Sequence, residues 1–233
     1  MKPDKPYNTE SGNILFYILI AVVLLAALTY AVSNSTRTNT STISIQQAKI
    51  AAQELTEYGQ ILTEAVSKLL LRKCRDDDIS FEHPDLSDEY DNFGAPDDNR
   101  CHVFQTNGGN VNLLEIQPNW IDPDARNLPS YQVPLFSGSH CVIGSGEEEC
   151  REPELTVLVG YLQKEVCSEI NRLFNNPDMI DPDGILLTED MIFNGRYSLF
   201  SEIDGDINIE GRLAGCVETN DSYTFYQVLL PRG

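Results

Sequence analysis

The sequence predicts an α+β fold: a long N-terminal helix, membrane-spanning at first and then amphipathic, packed on a C-terminal antiparallel sheet in a head with long loops. Three observations carry this expectation. Residues 14–32 hold no charged side chain, residues 48–69 repeat small and apolar side chains at helical spacing, and residues 212–230 hold two strand-like runs around a polar turn.

The first element follows from length. At a rise of about 1.5 Å per residue, the uncharged run spans about 28 Å, close to the ~30 Å of a bilayer's hydrocarbon. The expected division of the chain is therefore a leader at 1–12, a transmembrane helix at 13–32, a polar stalk and amphipathic helix at 33–74, a loop-rich acidic region at 75–152, and a strand, helix and antiparallel hairpin at 153–233. Lys2 and Lys5 precede the run, and Arg37 and Lys49 follow it. That bias favours a cytoplasmic N-terminus, with the following domain in the periplasm or exterior of a single-pass inner-membrane (cytoplasmic-membrane) protein. A secretory signal cut behind Ala31 fits less well, because such signals have a core of only about 7–15 apolar residues.

The second element follows from periodicity. Ala48, Ala51, Leu55, Tyr58, Leu62, Ala65 and Leu69 alternate at spacings of three and four, while Gln53, Glu57, Gln60 and Glu64 fall on the other side. This predicts an amphipathic helix to about Lys73. Before it, residues 33–42 are mostly Ser, Thr and Asn. Their side chains compete for backbone hydrogen bonds, so a weak or broken helix is expected there.

Farther along, residues 75–100 read as an acidic surface loop, 111–117 as a strand and 118–150 as irregular, with Pro118, Pro123, Pro129 and Pro134. Residues 155–162 have the length and β-branched content of a buried strand, and 163–174 read as a helix. Runs at 212–218 and 223–230 flank Thr219, Asn220, Asp221 and Ser222, residues suited to a hairpin turn.

Charge and cysteine bound the partners and the compartment. Asp and Glu number 36 against 16 Lys and Arg, giving a formal charge of −20, and the longest basic stretch is Arg72-Lys73. Nothing here tracks a phosphate backbone, so no nucleic-acid partner is expected. Cys74, Cys101, Cys141, Cys150, Cys167 and Cys216 make an even set without the Cys-x-x-Cys spacing of zinc sites, which points to disulfides in an oxidising compartment. Six cysteines permit fifteen connectivities. The favoured pairs are Cys74 with Cys101 and Cys141 with Cys150, which close local loops, and Cys167 with Cys216, which joins a helix to the terminal hairpin.

Motifs for catalysis are missing from the sequence, and no enzyme is expected. Gly138-Ser139-His140 and Gly144-Ser145-Gly146 lack the Gly-x-Ser-x-Gly elbow of hydrolases. His102 and His140 adjoin Cys101 and Cys141, but 37 residues separate the two pairs. Calcium is the one cofactor with oxygen ligands in a row, from Asp204, Asp206, Asn208 and Glu210. An EF-hand is ruled out, because its sixth and twelfth places would fall on Ile209 and Gly215. A strand with a polar face explains the same alternation, and the reading without any cofactor is retained beside the calcium loop.

The short leader ending in Gly12, the apolar segment beginning at Asn13 and the amphipathic continuation into a cysteine-bearing head resemble bacterial type IV pilins and type II secretion pseudopilins. The likeness covers about the first 75 residues by motif and the rest by layout. It implies cleavage between Gly12 and Asn13 by a prepilin peptidase, partnership with the membrane and with other pilin-like subunits, and a non-catalytic structural role. Two departures stand out. Asn13 replaces the family's usual Phe, and Tyr17 stands where a glutamate normally pairs with a neighbour's terminal amine. They imply a minor, capping or initiating component of a secretion or pilus apparatus. The alternative is a signal-anchored periplasmic domain that binds a ligand or partner outside any filament.

Overall fold

The computed structural model describes residues 13–37, 43–145, 150–175, 187–198, 201–203, 211–219 and 222–232. The chain forms two compact units, Met1–Thr42 and Ile43–Gly233.

In the first unit, α1 covers Asn13–Arg37. Its described side chains are exposed and apolar in one continuous run, Phe16 to Ala27, about 18 Å at helical rise. No helix among the described residues is long and apolar enough to cross a membrane. The expected single long helix, membrane-spanning and then amphipathic, is thereby overturned. The amphipathic part is a separate helix, α2 (Ile45–Leu71), with its own start signal. The Ser44 side chain accepts from the Gln47 N–H, and Gln47 Oε1 accepts from the Ser44 N–H at 3.2 Å. This reciprocal cap satisfies donors that a continuing helix would satisfy by itself.

The second unit is built around α2. Ala48, Ala51, Leu55, Tyr58, Leu62, Ala65 and Leu69 are all buried, and the intervening glutamates are exposed. Helix and sheet approach closely at Gly59, where a Cβ would lie 3.0 Å from Gln227 Cγ. A side chain there would press on Gln227, which would have to give by a few tenths of an ångström.

The sheet has five strands among the described residues, β1 (Leu135–Val142), β2 (Glu154–Leu162), β3 (Ser201–Ile203), β4 (Ala214–Thr219) and β5 (Ser222–Leu230), in the order β3-β1-β2-β5-β4. β2 with β5 and β4 with β5 are antiparallel, as the terminal runs predict. The expectation of a purely antiparallel, C-terminal sheet needs correction, because β1 pairs with β3 in parallel and begins at Leu135. β1 lies inside the stretch read as irregular. Its Ser137, Gly138, Ser139 and His140 suggest a loop, yet every residue of the strand is buried. Gly138 is held by space, since a Cβ there would lie 2.7 Å from the Phe193 ring and 2.8 Å from the Arg196 carbonyl. Conversely, residues 111–117 join no ladder among the described residues.

The three disulfides among the described residues join the favoured pairs, Cys74–Cys101, Cys141–Cys150 and Cys167–Cys216, with Cα separations of 5.8, 5.7 and 5.4 Å. The last one works beside a second clamp. Helix α3 (Lys164–Leu173) places Asn171, 2% exposed, against β4. Asn171 Nδ2 donates to the Cys216 carbonyl and the Cys216 N–H donates to Asn171 Oδ1, both at 2.8 Å. One amide side chain thus pairs the edge strand's buried backbone as a neighbouring strand would.

Asn171→Ala leaves that N–H and C=O buried without partners. A loss of about 2–3 kcal/mol in unfolding free energy is expected in urea denaturation, with the disulfide retained; a change under ~0.5 kcal/mol would show that the clamp carries no stability.

Candidate functional site

The described part of the head offers a buried polar cluster and a groove. The cluster forms where β1 and β2 are out of step, with a register shift between Ser137 and His140. His140 lies opposite Glu154 across the ladder. His140 Nδ1 and Ser137 Oγ are 3.0 Å apart, and Ser137 Oγ also accepts from the Ser139 N–H at 3.1 Å. Glu154 accepts from the Val142 N–H at 3.0 Å and from the Ser145 hydroxyl.

Serine, histidine and carboxylate are the residue types of a nucleophilic triad. Here their placement serves structure. Ser137 and His140 are 0% exposed and Glu154 is 1% exposed, so the hydroxyl faces no space a substrate could enter. What the carboxylate does is close the loop that Cys141–Cys150 staples, by tying Val142 and Ser145 to β2. Burial pushes the Glu154 carboxyl above the usual range, and the Ser145 hydroxyl and Val142 N–H oppose that shift.

The groove lies elsewhere, beside residues 112–116. It has a volume of about 590 Å³ and is bounded by that segment, His83, Asp85, Pro118 and residues 132–134. From Asn110 to Gln117 the chain runs with neither turn nor bend, and no hydrogen bond with a described residue engages the N–H of Asn112, Leu113, Glu115, Ile116 or Gln117. Its side chains alternate in part, with Val111 and Ile116 buried and Asn112, Glu115 and Gln117 exposed. The Tyr58 hydroxyl lies under this run, buried and short of hydrogen-bond geometry, and burial drives its ionisation up while the Leu114 backbone opposes it. The strand expected at 111–117 is thus found as a run without turn or bend that joins no ladder among the described residues.

A second hollow, of about 520 Å³, mixes Asp77, Asp78 and Asp91 with Arg75 and Arg196. Its charges largely offset one another.

The remaining sequence candidates fall as follows. Gly12 and the candidate calcium ligands Asp204, Asp206, Asn208 and Glu210 lie outside the described residues, and Asn13 opens α1. Among the described residues no three His, Cys, Asp or Glu side chains converge as a metal site. His102 and His140 stand apart: His102 Nδ1 faces Glu82 Oε2 at 3.7 Å, while His140 belongs to the β1 cluster. The groove itself went unread in the sequence. Its only signal was a strand pattern followed by proline-rich chain, which does not say that the strand stays unpaired. No protein-family model, curated protein or solved structure matches the chain.

A buried carboxyl with a raised value gives a pH dependence of fixed sign. As pH rises above about 4.3, the unfolded chain releases this proton before the folded protein does, so Glu154 subtracts stability up to its folded value and adds no further change above it. Glu154→Gln keeps an acceptor for Val142 and has no proton to lose. The stability of Glu154→Gln relative to the parent should therefore grow as pH rises from about 4 toward neutrality, measured by urea unfolding at each pH; a constant difference would remove the desolvated carboxyl from the account.

Proposed function

We propose that the chain is a non-catalytic, pilin-like structural subunit whose head, Ile43–Gly233, works on the oxidising side of the inner membrane as a minor component of a secretion or pilus apparatus. The observation that carries this reading is the surface of α1. Phe16, Tyr17, Ile18, Leu19, Val22, Val23, Leu24 and Leu25 are each at least 56% exposed. A contiguous apolar surface of this kind needs a cover of lipid or protein. Like segments of other pilin-like subunits supply that cover in the family that residues 1–75 resemble. The three disulfides support an oxidising compartment for the head.

Tyr17 sets the place in the assembly. A terminal amine within an apolar core is costly unless a carboxylate neutralises it. A subunit with tyrosine at this place cannot neutralise its neighbour, and so does not suit a repeating position. It suits an end, where a different subunit's glutamate pairs its own amine. That is a capping or initiating role.

A second reading is favoured by the groove at residues 112–116, namely an exported domain that binds a partner without joining a filament. The two readings part at Gly12. In the pilin-like reading the mature chain begins at Asn13, and Gly12→Val, which adds a side chain at the scissile position, leaves a product about twelve residues heavier. Mass spectrometry of the isolated N-terminus checks this. A wild-type chain that still begins at Met1, or one cut behind Ala31, would overturn it.

A further inference from the structure

We propose that the groove beside residues 112–117 is a docking site for one extended segment of a partner protein, in which apolar residues alternate with Lys or Arg, bound by strand addition to this unpaired run. Its recognition elements differ from anything the pilin-like reading uses, and the site stands or falls without a filament.

A run without turn or bend, in which the amides of Asn112, Leu113, Glu115 and Ile116 find no partner among the described residues, offers donors and acceptors to another strand, as an open sheet edge does. The flanking prolines, Pro118 and Pro134, contribute no N–H, and Gln132 Nε2 donates to the Ile116 carbonyl at 3.3 Å. The open edge therefore ends near Ile116, and the usable length is residues 112–116, about 17 Å at strand rise. That length suits five or six residues of added strand. Strand addition draws affinity from main-chain hydrogen bonds and specificity from pockets for alternate side chains.

The side chains decide which strand. The partly buried Leu113 and Leu114 and the buried Ile116 offer apolar contact on the floor, with Val133 and Pro134 across the groove. The rim is acidic: Glu115 is exposed, and the Asp85 side chain is 81% exposed, with no Lys or Arg among the lining residues. His83 Nδ1, 3.7 Å from Asp85 Oδ2, is held at one end against Phe104. On a chain of formal charge −20, an anionic segment is repelled and a cationic one is drawn in. Alternation of apolar and basic residues puts one set on the floor and the other at the rim.

The test uses the full chain and a capped hexapeptide of alternating valine and lysine, with fluorescence anisotropy for affinity and hydrogen exchange for location. The peptide is expected to bind and to slow exchange at residues 112–117. A peptide of identical charge, N-methylated at alternate residues so that it cannot pair along one edge, should bind about tenfold more weakly. A valine–glutamate peptide should not bind. Glu115→Lys, an exposed substitution that leaves the fold intact by circular dichroism, should weaken binding of the lysine peptide. The proposal is overturned if the methylated peptide binds as well as its parent, if neither lysine peptide binds, or if binding leaves residues 112–117 unprotected. Protection that arises from protein concentration alone would assign the groove to a second copy of the chain and would overturn it equally.

Discussion

Everything in the head depends on how α2 lies against the sheet. Its N-terminal half, through Ala48, Ala51, Ala52 and Leu55, joins Trp120, Val159, Val166 and Phe225 in one core. Its C-terminal half, through Tyr58, Leu62, Val66 and Leu69, joins Ile79, Phe81, Phe136 and Phe193 in another. The helix spans both cores, as do β2, through Val159 and Leu162 in one and Leu155 and Val157 in the other, and β5, through Phe225 and Leu229. Alanines in the first half and larger residues in the second set the distance: small side chains admit α3 and β5 closely, while the second half leaves room for the stacked rings of Phe81 and Phe136, 4.3 Å apart. The absent side chain at Gly59 marks the change between them.

The loop-rich middle of the chain is held to this frame by polar side chains more than by regular structure. The Asn92 amide, 8% exposed, donates to the carbonyls of Asp77 and Ile79, both at 2.8 Å, and accepts from the Gly94 N–H. The Tyr90 hydroxyl accepts from the Phe136 N–H at the start of β1. At the C-terminus, the Arg232 guanidinium lies 3.9 Å over the Tyr197 ring and 3.3 Å from Asp76. Satisfying backbone groups by side chains lets residues 75–134 stay free of ladders among the described residues while these buried backbone groups are paired. It also leaves one run in which the N–H groups of Asn112, Leu113, Glu115, Ile116 and Gln117 find no partner among the described residues. An extended run packed between a helix and a loop is positioned by the protein without being completed by it, and this separates the groove from the sealed cluster at His140 and Glu154.

The parts legible in the sequence are those written in periodicity and loop closure. The α2 stripe and α3 carried apolar spacing, and β2 β-branched content, that match their burial; two disulfide pairs followed from local loop closure and the third from joining a helix to the terminal hairpin. The break between α1 and α2 was half legible, since residues 33–42 disfavour helix, but the capping role of Ser44 and Gln47 was not singled out. β1 was hidden because strand propensity measures fit to a half-buried surface, and a strand buried on both faces around Ser137 and His140 has no such surface. Residues 111–117 failed in the opposite sense: conformation follows from local sequence, whereas pairing depends on what folds alongside. No local pattern could have revealed the groove, whose far wall is 132–134.

The central claim is that α2 welds two cores into one cooperative unit. Native-state hydrogen exchange of the full chain tests it most directly, because amides that open only by global unfolding share one free energy. The amides from Leu55 to Leu69 should exchange at the same limiting free energy as Val157 and Val159 of β2, and should fall together with them as urea is added. Exchange of α2 through a lower-energy opening, with β2 and β5 still protected, would contradict the account.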